Sequence, residues 1–515
     1  MHSESIKSVV VVGGGTAGWL TAANLARAFN SANPNNIQVC VIESPDIPTI
    51  GVGEGTWPTM RATLAKLGID EADFLTQCNA TFKQGTKFIN WQTDVEPNQY
   101  HHLFTSIFDP TQFNLAPYWL KGCAGNSLSY AQAVSAQIKT AELGLAPKKI
   151  TSKPYEGLQN YAYHLDAGKF ADLLKRHAIN KLGVKFIAAN VTDVRLESDG
   201  YIAEVQTDNS GAIAGDFFVD CTGFKSLLIG ETLGIGFTSV ADTLLTDHAV
   251  TIQVPYDSDD APINACTHST AQDAGWIWDI ALTNRRGVGY VYSSKHVSHE
   301  EAEATLRRYI GDAATGLSAR KIKIDLGYRN KFWHKNCVAV GLSAAFIEPL
   351  EASAIFLIEA AGNMIADQLP SRRQGLLFAE QKFNESFMFR WQKTIDFIKM
   401  HYLLSQRSTP FWQANKCKST IPESLTTLLG NWQEHCISAY DFAHVYEPFP
   451  MESYQYVLYG MGFKPQSVAE YRYTEDVKAA EHFNKVQQVT EYLAKELPGQ
   501  RALLQKVAQF GFSSI

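Results

Sequence analysis

The chain has 515 residues, a formal net charge of −7, 45% hydrophobic residues and 19% charged residues. This composition excludes a disordered or collagen-like chain, and its mild acidity argues against nucleic acid as the main partner. At roughly 150 residues per domain, the length implies several domains or one large α/β body with insertions, with a core that needs no disulfide or metal staple.

In chain order, residues 6–12 form a short β-branched run that predicts a buried parallel strand. A glycine turn follows at 13–18. Residues 19–29 then carry apolar side chains at helical spacing, and 37–42 predict a second strand ending at Glu43. This is a βαβ unit. Strands are expected again at 184–191, 201–205, 216–222 and 337–342, the last followed by a helix over 353–368. Residues 80–135 and 240–330, richer in aromatics and short alternating runs, predict a second, sheet-containing layer interleaved with the first. From about 375 onward the chain is mostly helical. The expected division is a body over 1–375 and a helical, substrate-covering region over 376–515.

The eight cysteines have no CxxC spacing and read as reduced, mostly buried thiols. No run approaches the ~20 apolar residues of a membrane span. The first residues pass through one lysine straight into an apolar strand, unlike a cleavable leader. The expected location is the cytoplasm, without membrane or nucleic-acid partners. His101-His102 invites a metal reading, but no third ligand of fitting spacing accompanies the pair, so no metal is expected.

Gly13-x-Gly15-x-x-Gly18 matches the dinucleotide fingerprint. The first glycine permits the tight turn, the second lets the backbone approach a pyrophosphate, and the third lets helix and strand pack closely. The helix N-terminus adds N–H donors. Glu43 can accept a ribose 2′-hydroxyl and would repel a 2′-phosphate, which favours FAD or NAD over NADP. The turns at 216–224 and 338–350 can each return to the same cofactor or be plain loops.

Further segments carry a more specific signal. They are IGVGEGTWP (50–58), CNATFKQGTKFINW (78–91), GWIWDI (275–280) and FIEPLEASAI (346–355), with GGGTAGW (13–19), YAYHLDA (161–167), VDCTGF (219–224) and HYLLSQRSTPFW (401–412). In this order and spacing, over about residues 5 to 465, the chain resembles the flavin-dependent tryptophan halogenases. The resemblance implies an α/β, FAD-binding Rossmann-like fold of flavin-monooxygenase type, with an interleaved β-containing layer and a mostly helical C-terminal region. It also implies an enzyme in which reduced FAD, O2 and chloride or bromide give hypohalous acid. That acid is delivered via Lys83 to an electron-rich indole- or tryptophan-like substrate, and Glu351 assists. A separate flavin reductase supplies the FADH2, and a homodimer is left open.

The residues implied at the cofactor are Gly13, Gly15, Thr16, Ala17, Gly18, Glu43, Gly53, Glu54, Gly223, Gly341 and Leu350. The halide is implied at the backbone of Ser353 and Ala354. The aromatic substrate is implied at His102, Phe104, Phe449 and Tyr454, with Phe449 where tryptophan-specific members carry a tryptophan. Trp276 and Trp278 are implied beside the flavin; the plainer reading is two packed aromatics on alternating sides of a strand. Lys87 competes with Lys83, and Glu348 with Glu351. Ala281 stands where the family has a proline, which implies a different strand turn. Two rival functions are an FAD-dependent aromatic hydroxylase and a flavin-binding protein without turnover.

Overall fold

The computed structural model describes residues 5–47, 53–95, 97–106, 108–109, 111–442, 444–466 and 468–512. The chain forms two compact units, each assembled from three stretches: Met1–Ala80, Leu165–Val240 and Asp325–Trp391 in the first, and Thr81–His164, Ala241–Ile324 and Gln392–Ile515 in the second.

The first unit is built on a six-stranded sheet in the order Trp333–His334, Cys337–Ala339, Phe217–Asp220, Ser8–Val12, Gln38–Glu43, Lys185–Ala188. All pairings are parallel except that of the two-residue Trp333–His334 edge. The central strand is a run of valines, Val9 to Val12, at most 3% exposed. That fits a strand covered on both faces. Helix Thr16–Phe29 follows it and buries Trp19, Leu20, Ala22, Ala23 and Leu25 completely. Helix Ala167–Leu182 starts where the Asp166 carboxylate accepts from the Lys169 N–H at 3.1 Å, and ends at Gly183 in the left-handed region.

The single strand expected over 184–191 is two. Lys185–Ala188 stays in the main sheet, while Val191–Leu196 joins a separate antiparallel sheet with Ile202–Thr207 and Gly211–Ala214. The break falls at Asn190, whose N–H and side-chain amide bond the Asp208 carboxylate at 3.0 and 2.9 Å. The helix expected over 353–368 is present as Ser353–Gln368.

The second unit carries a seven-stranded sheet, ordered Arg320–Lys323, His248–Pro255, Arg285–Tyr292, Gly275–Ala281, Thr267–Gln272, Gly85–Ile89, Gln99–Leu103. Only the pairing of Thr267–Gln272 with Gly85–Ile89 is parallel. One face packs Val250, Ile252, Ile277, Val288 and Tyr290 against Ala302, Leu306 and Ile310 of helix His299–Ile310. The expected sheet layer over 80–135 stops at Leu103. Helices Ala116–Leu120 and Tyr130–Val134 follow, the first with Pro117 in its opening turn, the second with a Ser129–Gln132 capping box. Both are local helix-start signals that override the aromatic content. The described residues of the C-terminal part are mostly helical, as expected.

Candidate active site

In the first unit, three turns meet at the carboxyl ends of the parallel strands, the usual ligand edge of such sheets. The first is the glycine turn. Gly13 has φ of +113°, and a side chain there would lie 2.1 Å from the Cys221 carbonyl oxygen. A Cβ on Gly18 would lie 1.8 Å from the Gly13 carbonyl oxygen. Gly15 differs: it has φ of −75°, and nothing lies within 4 Å of where its Cβ would be. It precedes helix Thr16–Phe29 and caps it with no side-chain hydrogen bond. The open space and the uncapped N–H groups fit the pyrophosphate of a dinucleotide.

The second turn follows strand Phe217–Asp220. The register that pairs Val12 with Asp220 brings Cys221 against Gly13. The buried Asp220 carboxylate accepts from Thr222 N–H (3.0 Å), Thr222 hydroxyl (2.7 Å), Leu228 N–H (2.8 Å) and Ile229 N–H (2.9 Å). Burial raises its pKa, and these bonds oppose the rise. Gly223 has φ of +70°. The third turn is reached through Val340, whose N–H donates to the Asp220 carbonyl at 2.9 Å. A Cβ on Gly341 would touch Ala17 at 2.6 Å. Gly13, Gly18, Ala17, Gly223 and Gly341 are thus gathered at one edge.

Glu43 closes its strand beside this turn, with its side-chain carbons where a Cβ on Gly14 would stand. Its Oε2 is ion-paired with Lys175 at 2.6 Å, which leaves Oε1 as an acceptor. Lys175, on helix Ala167–Leu182, carries no sequence signal beyond a helical lysine. Gly53 and Glu54 lie on the short strand Gly53–Gly55, and burial pushes the Glu54 carboxyl up to about 7. Ile50, Gly51 and Val52 of the same motif lie outside the described residues.

Leu350 and Glu351 are buried, at 2% and 4% exposure, as is the competing Glu348. They end in a turn in which the Ala352 N–H donates to the Pro349 carbonyl at 3.0 Å. Ala352 is left-handed, with φ of 52°, and helix Ser353–Gln368 starts after it with no side-chain cap. Ser353 is buried and Ala354 exposed. Six residues into this helix, the buried Glu359 accepts from the hydroxyls of Thr63 (2.5 Å) and Thr59 (3.1 Å).

Burial raises the Glu359 pKa to about 7, and the threonine bonds oppose the rise. An unfolded chain releases this proton near 4.5, before the folded one does. Stability therefore falls as pH rises from about 4.5 to about 7. The span is worth roughly 3 kcal/mol at ~1.4 kcal/mol per unit. Glu359→Gln is expected to melt close to wild type at pH 5 and clearly above it at pH 8. A variant-minus-wild-type difference in apparent Tm that stays flat across this range would contradict the assignment.

In the second unit, Lys83 ends strand Thr81–Lys83 and is 2% exposed. Its ammonium lies 5.6 Å from the centre of the Phe104 ring. His164, on the paired strand, bonds the Thr267 hydroxyl at 2.8 Å. Burial, and then Lys83, push its pKa well below the usual histidine range, so it adds no second cation. Lys87 lies on a different strand, opposite His101, whose pKa burial and then Lys87 lower to about 3. Of the two competing lysines, Lys83 is the one buried beside an aromatic ring.

His102 bonds the Ser453 hydroxyl at 2.9 Å. It lies beside Phe397, centroid distance 5.8 Å, and Phe397 is flat on Phe449 at 3.8 Å and edge-on to Tyr454 at 4.8 Å. His102, Phe449 and Tyr454 are therefore brought together, while Phe104 is at Lys83. Phe449 and Tyr454 are each 1% exposed, covered by neighbouring rings. Phe397, which joins them, is one aromatic among many in the long helix Leu376–Leu404 and has no distinguishing sequence pattern.

Trp276 and Trp278 lie on strand Gly275–Ala281 with centroids 6.3 Å apart. The alternating-sides reading is incorrect: residues two apart on a strand share a face. The Trp278 ring lies across Gly289 of the neighbouring strand, where a Cβ would come within 2.1 Å of it. The absence of proline at 281 lets the strand run on through Ala281, which pairs with Arg286 and accepts from the Thr81 hydroxyl at 2.7 Å.

All eight cysteines are free. Among the described residues, no helix is long and apolar enough to cross a membrane.

The tryptophan halogenase family model matches residues 8–476. A crystal structure of a tryptophan halogenase from Shewanella frigidimarina superposes with a TM-score of 0.96 at 45% identity, covering 99% of each chain. BrvH, a flavin-dependent halogenase from Brevundimonas sp. BAL3, superposes with a TM-score of 0.87 at 32% identity, over 98% of this chain and 100% of that one. Tryptophan 6-halogenase SttH of Streptomyces toxytricini is 33% identical over 97% of this chain and 98% of its own. With this coverage, and with the Rossmann-like sheet and helical C-terminal part in place, the chain belongs to the tryptophan halogenase family of flavin-dependent enzymes.

Proposed function

We propose that the protein is an FAD-dependent halogenase of small electron-rich aromatics, indole- or tryptophan-like, that receives reduced FAD from a separate flavin reductase and uses chloride or bromide. The observation that carries this reading is the buried Lys83 ammonium beside the Phe104 ring. Family membership narrows the chemistry it serves.

The residues assigned to the cofactor are Gly13, Gly15, Thr16, Ala17, Gly18, Glu43, Gly53, Glu54, Gly223, Gly341 and Leu350, with Trp276 and Trp278 on the flavin side. Gly15 leaves room for the pyrophosphate, and Glu43 Oε1 accepts from the ribose. Bound reduced FAD, with O2, supplies the oxidising equivalent that converts halide to hypohalous acid. The uncapped amides of Ser353 and Ala354 hold the halide without a basic side chain. Lys83 hydrogen-bonds and polarises hypohalous acid for attack by the ring. Glu351 accepts the proton released when the ring regains aromaticity; a positioned carboxylate contributes ~10²–10⁴ in rate. His102, Phe104, Phe449 and Tyr454 are assigned to the substrate side, which makes residues 376–515 a substrate-covering region. The free thiols suit the cytoplasm.

The test is mass spectrometry of an assay holding the protein, FAD, a flavin reductase, NADH, bromide and a panel of indoles, phenols and tryptophan. A bromine-shifted product that needs both flavin and halide is expected. A hydroxylated product formed at the same rate without halide would reassign the enzyme as a hydroxylase.

A further inference from the structure

Trp57 sits between the strand Gly53–Gly55 and helix Thr59–Leu67 and is not among the residues assigned above. Two contacts tie it to the turn that carries Glu351. Its indole N–H donates to the Glu351 main-chain carbonyl at 2.8 Å. Its ring is stacked on Phe356, with centroids 4.2 Å apart and planes 19° apart. These anchors lie on either side of Ala352.

Ala352 is the strained point. A non-glycine residue at φ 52°, ψ 39° occupies a conformation that side chains disfavour, and such residues persist only where the surroundings hold them. The Glu351 carbonyl belongs to the peptide plane that leads into Ala352. An indole bonded to that carbonyl and braced on Phe356, one turn into the helix, fixes that plane relative to the helix. The direction of the Glu351 side chain follows from it. The same strand-to-helix segment is fastened further down the same helix, where Thr59 and Thr63 donate to Glu359.

We infer that Trp57 is a positioning residue: by holding the Glu351 carbonyl and stacking on Phe356, it keeps Ala352 left-handed and so aims the Glu351 carboxylate. The functional half of this inference rests on the role proposed for Glu351; the geometric half does not.

Trp57→Phe is the discriminating variant, because it keeps a ring for Phe356 and removes only the N–H. Two measurements apply to it. The first is hydrogen–deuterium exchange of the FAD-free protein over residues 349–357. Exchange there is expected to be at least fivefold faster than in wild type, with the global melting temperature nearly unchanged. Unchanged exchange overturns the brace. The second is a double-mutant cycle with Glu351→Gln, read as halogenated product per turnover. Loss of one net hydrogen bond is worth about 0.5–1.5 kcal/mol, so Trp57→Phe alone is expected to slow product formation by about twofold to tenfold. It is expected to leave the FAD dissociation constant unchanged and to add nothing further in the Glu351→Gln background. Fully additive losses, or no loss from Trp57→Phe alone, overturn the positioning role. Wild-type protein that makes no halogenated product would overturn the halogenase reading, and the exchange experiment would still decide the brace.

Discussion

Lys83→Ala is expected to abolish halogenated product, by at least ~10²-fold, while reduced FAD continues to be oxidised at the wild-type rate. The fall follows from what is removed: a preorganised charged donor in a site shielded from water is commonly worth ~10²–10³ in rate. The preserved flavin oxidation follows because the reaction with O2 is assigned to reduced FAD, and Lys83 is not among the residues assigned to the cofactor. Lys83 is 2% exposed, so the variant that best keeps the packing is Lys83→Met, whose side chain has nearly the same length. Lys83→Met should fold, as read by its melting temperature without flavin, and still make no product. Lys87→Ala provides the comparison, because Lys87 faces His101 and should retain most activity. Product from a folded Lys83→Met protein at more than a tenth of the wild-type rate would remove Lys83 from the mechanism.

Much of this was readable from the chain because the relevant residues are local. The glycine turn needs only six consecutive positions, and its logic follows from backbone geometry. Helix 353–368 was readable from its apolar spacing. The rest depends on contacts between distant segments. Phe397 and Phe449 are stacked across 52 positions of sequence, and Trp57 bonds Glu351 across nearly three hundred. Nothing local marks either pair. Lys175 is a similar case: a helical lysine with an ordinary solvated reading, until the fold sets it 2.6 Å from Glu43. Trp276 and Trp278, two apart on one strand, share a face by strand periodicity alone. At 116–134 the aromatic content points to sheet, whereas the proline and the capping box at the helix starts decide for helices.

The three fingerprint glycines look equivalent in sequence, yet substitution should separate them into fold and ligand roles. Gly18→Ala is expected to destabilise the protein strongly. Its Cβ would stand 1.8 Å from the Gly13 carbonyl oxygen and 2.9 Å from the carbonyl carbon, both backbone atoms. Gly13 cannot retreat, because its N–H is bonded to the Ile42 carbonyl at 2.8 Å and its Cα abuts Cys221. The helix must move instead, and it carries the fully buried Trp19, Leu20 and Leu25 with it. Overpacking of this kind costs roughly 1–3 kcal/mol even where side chains can yield, and here the obstacle is main chain. Gly15→Ala should do the opposite. Gly15 has φ of −75°, which any residue adopts, and its Cβ would meet nothing within 4 Å. The melting temperature of the flavin-free protein should stay within a few degrees of wild type. FAD affinity should nevertheless fall at least tenfold, because the methyl would fill the space through which a pyrophosphate reaches the helix N-terminus. Thermal melting without flavin and fluorescence titration with FAD, run on both variants, separate the two roles. A Gly15→Ala protein that binds FAD as tightly as wild type would mean that the pyrophosphate does not lie against this turn.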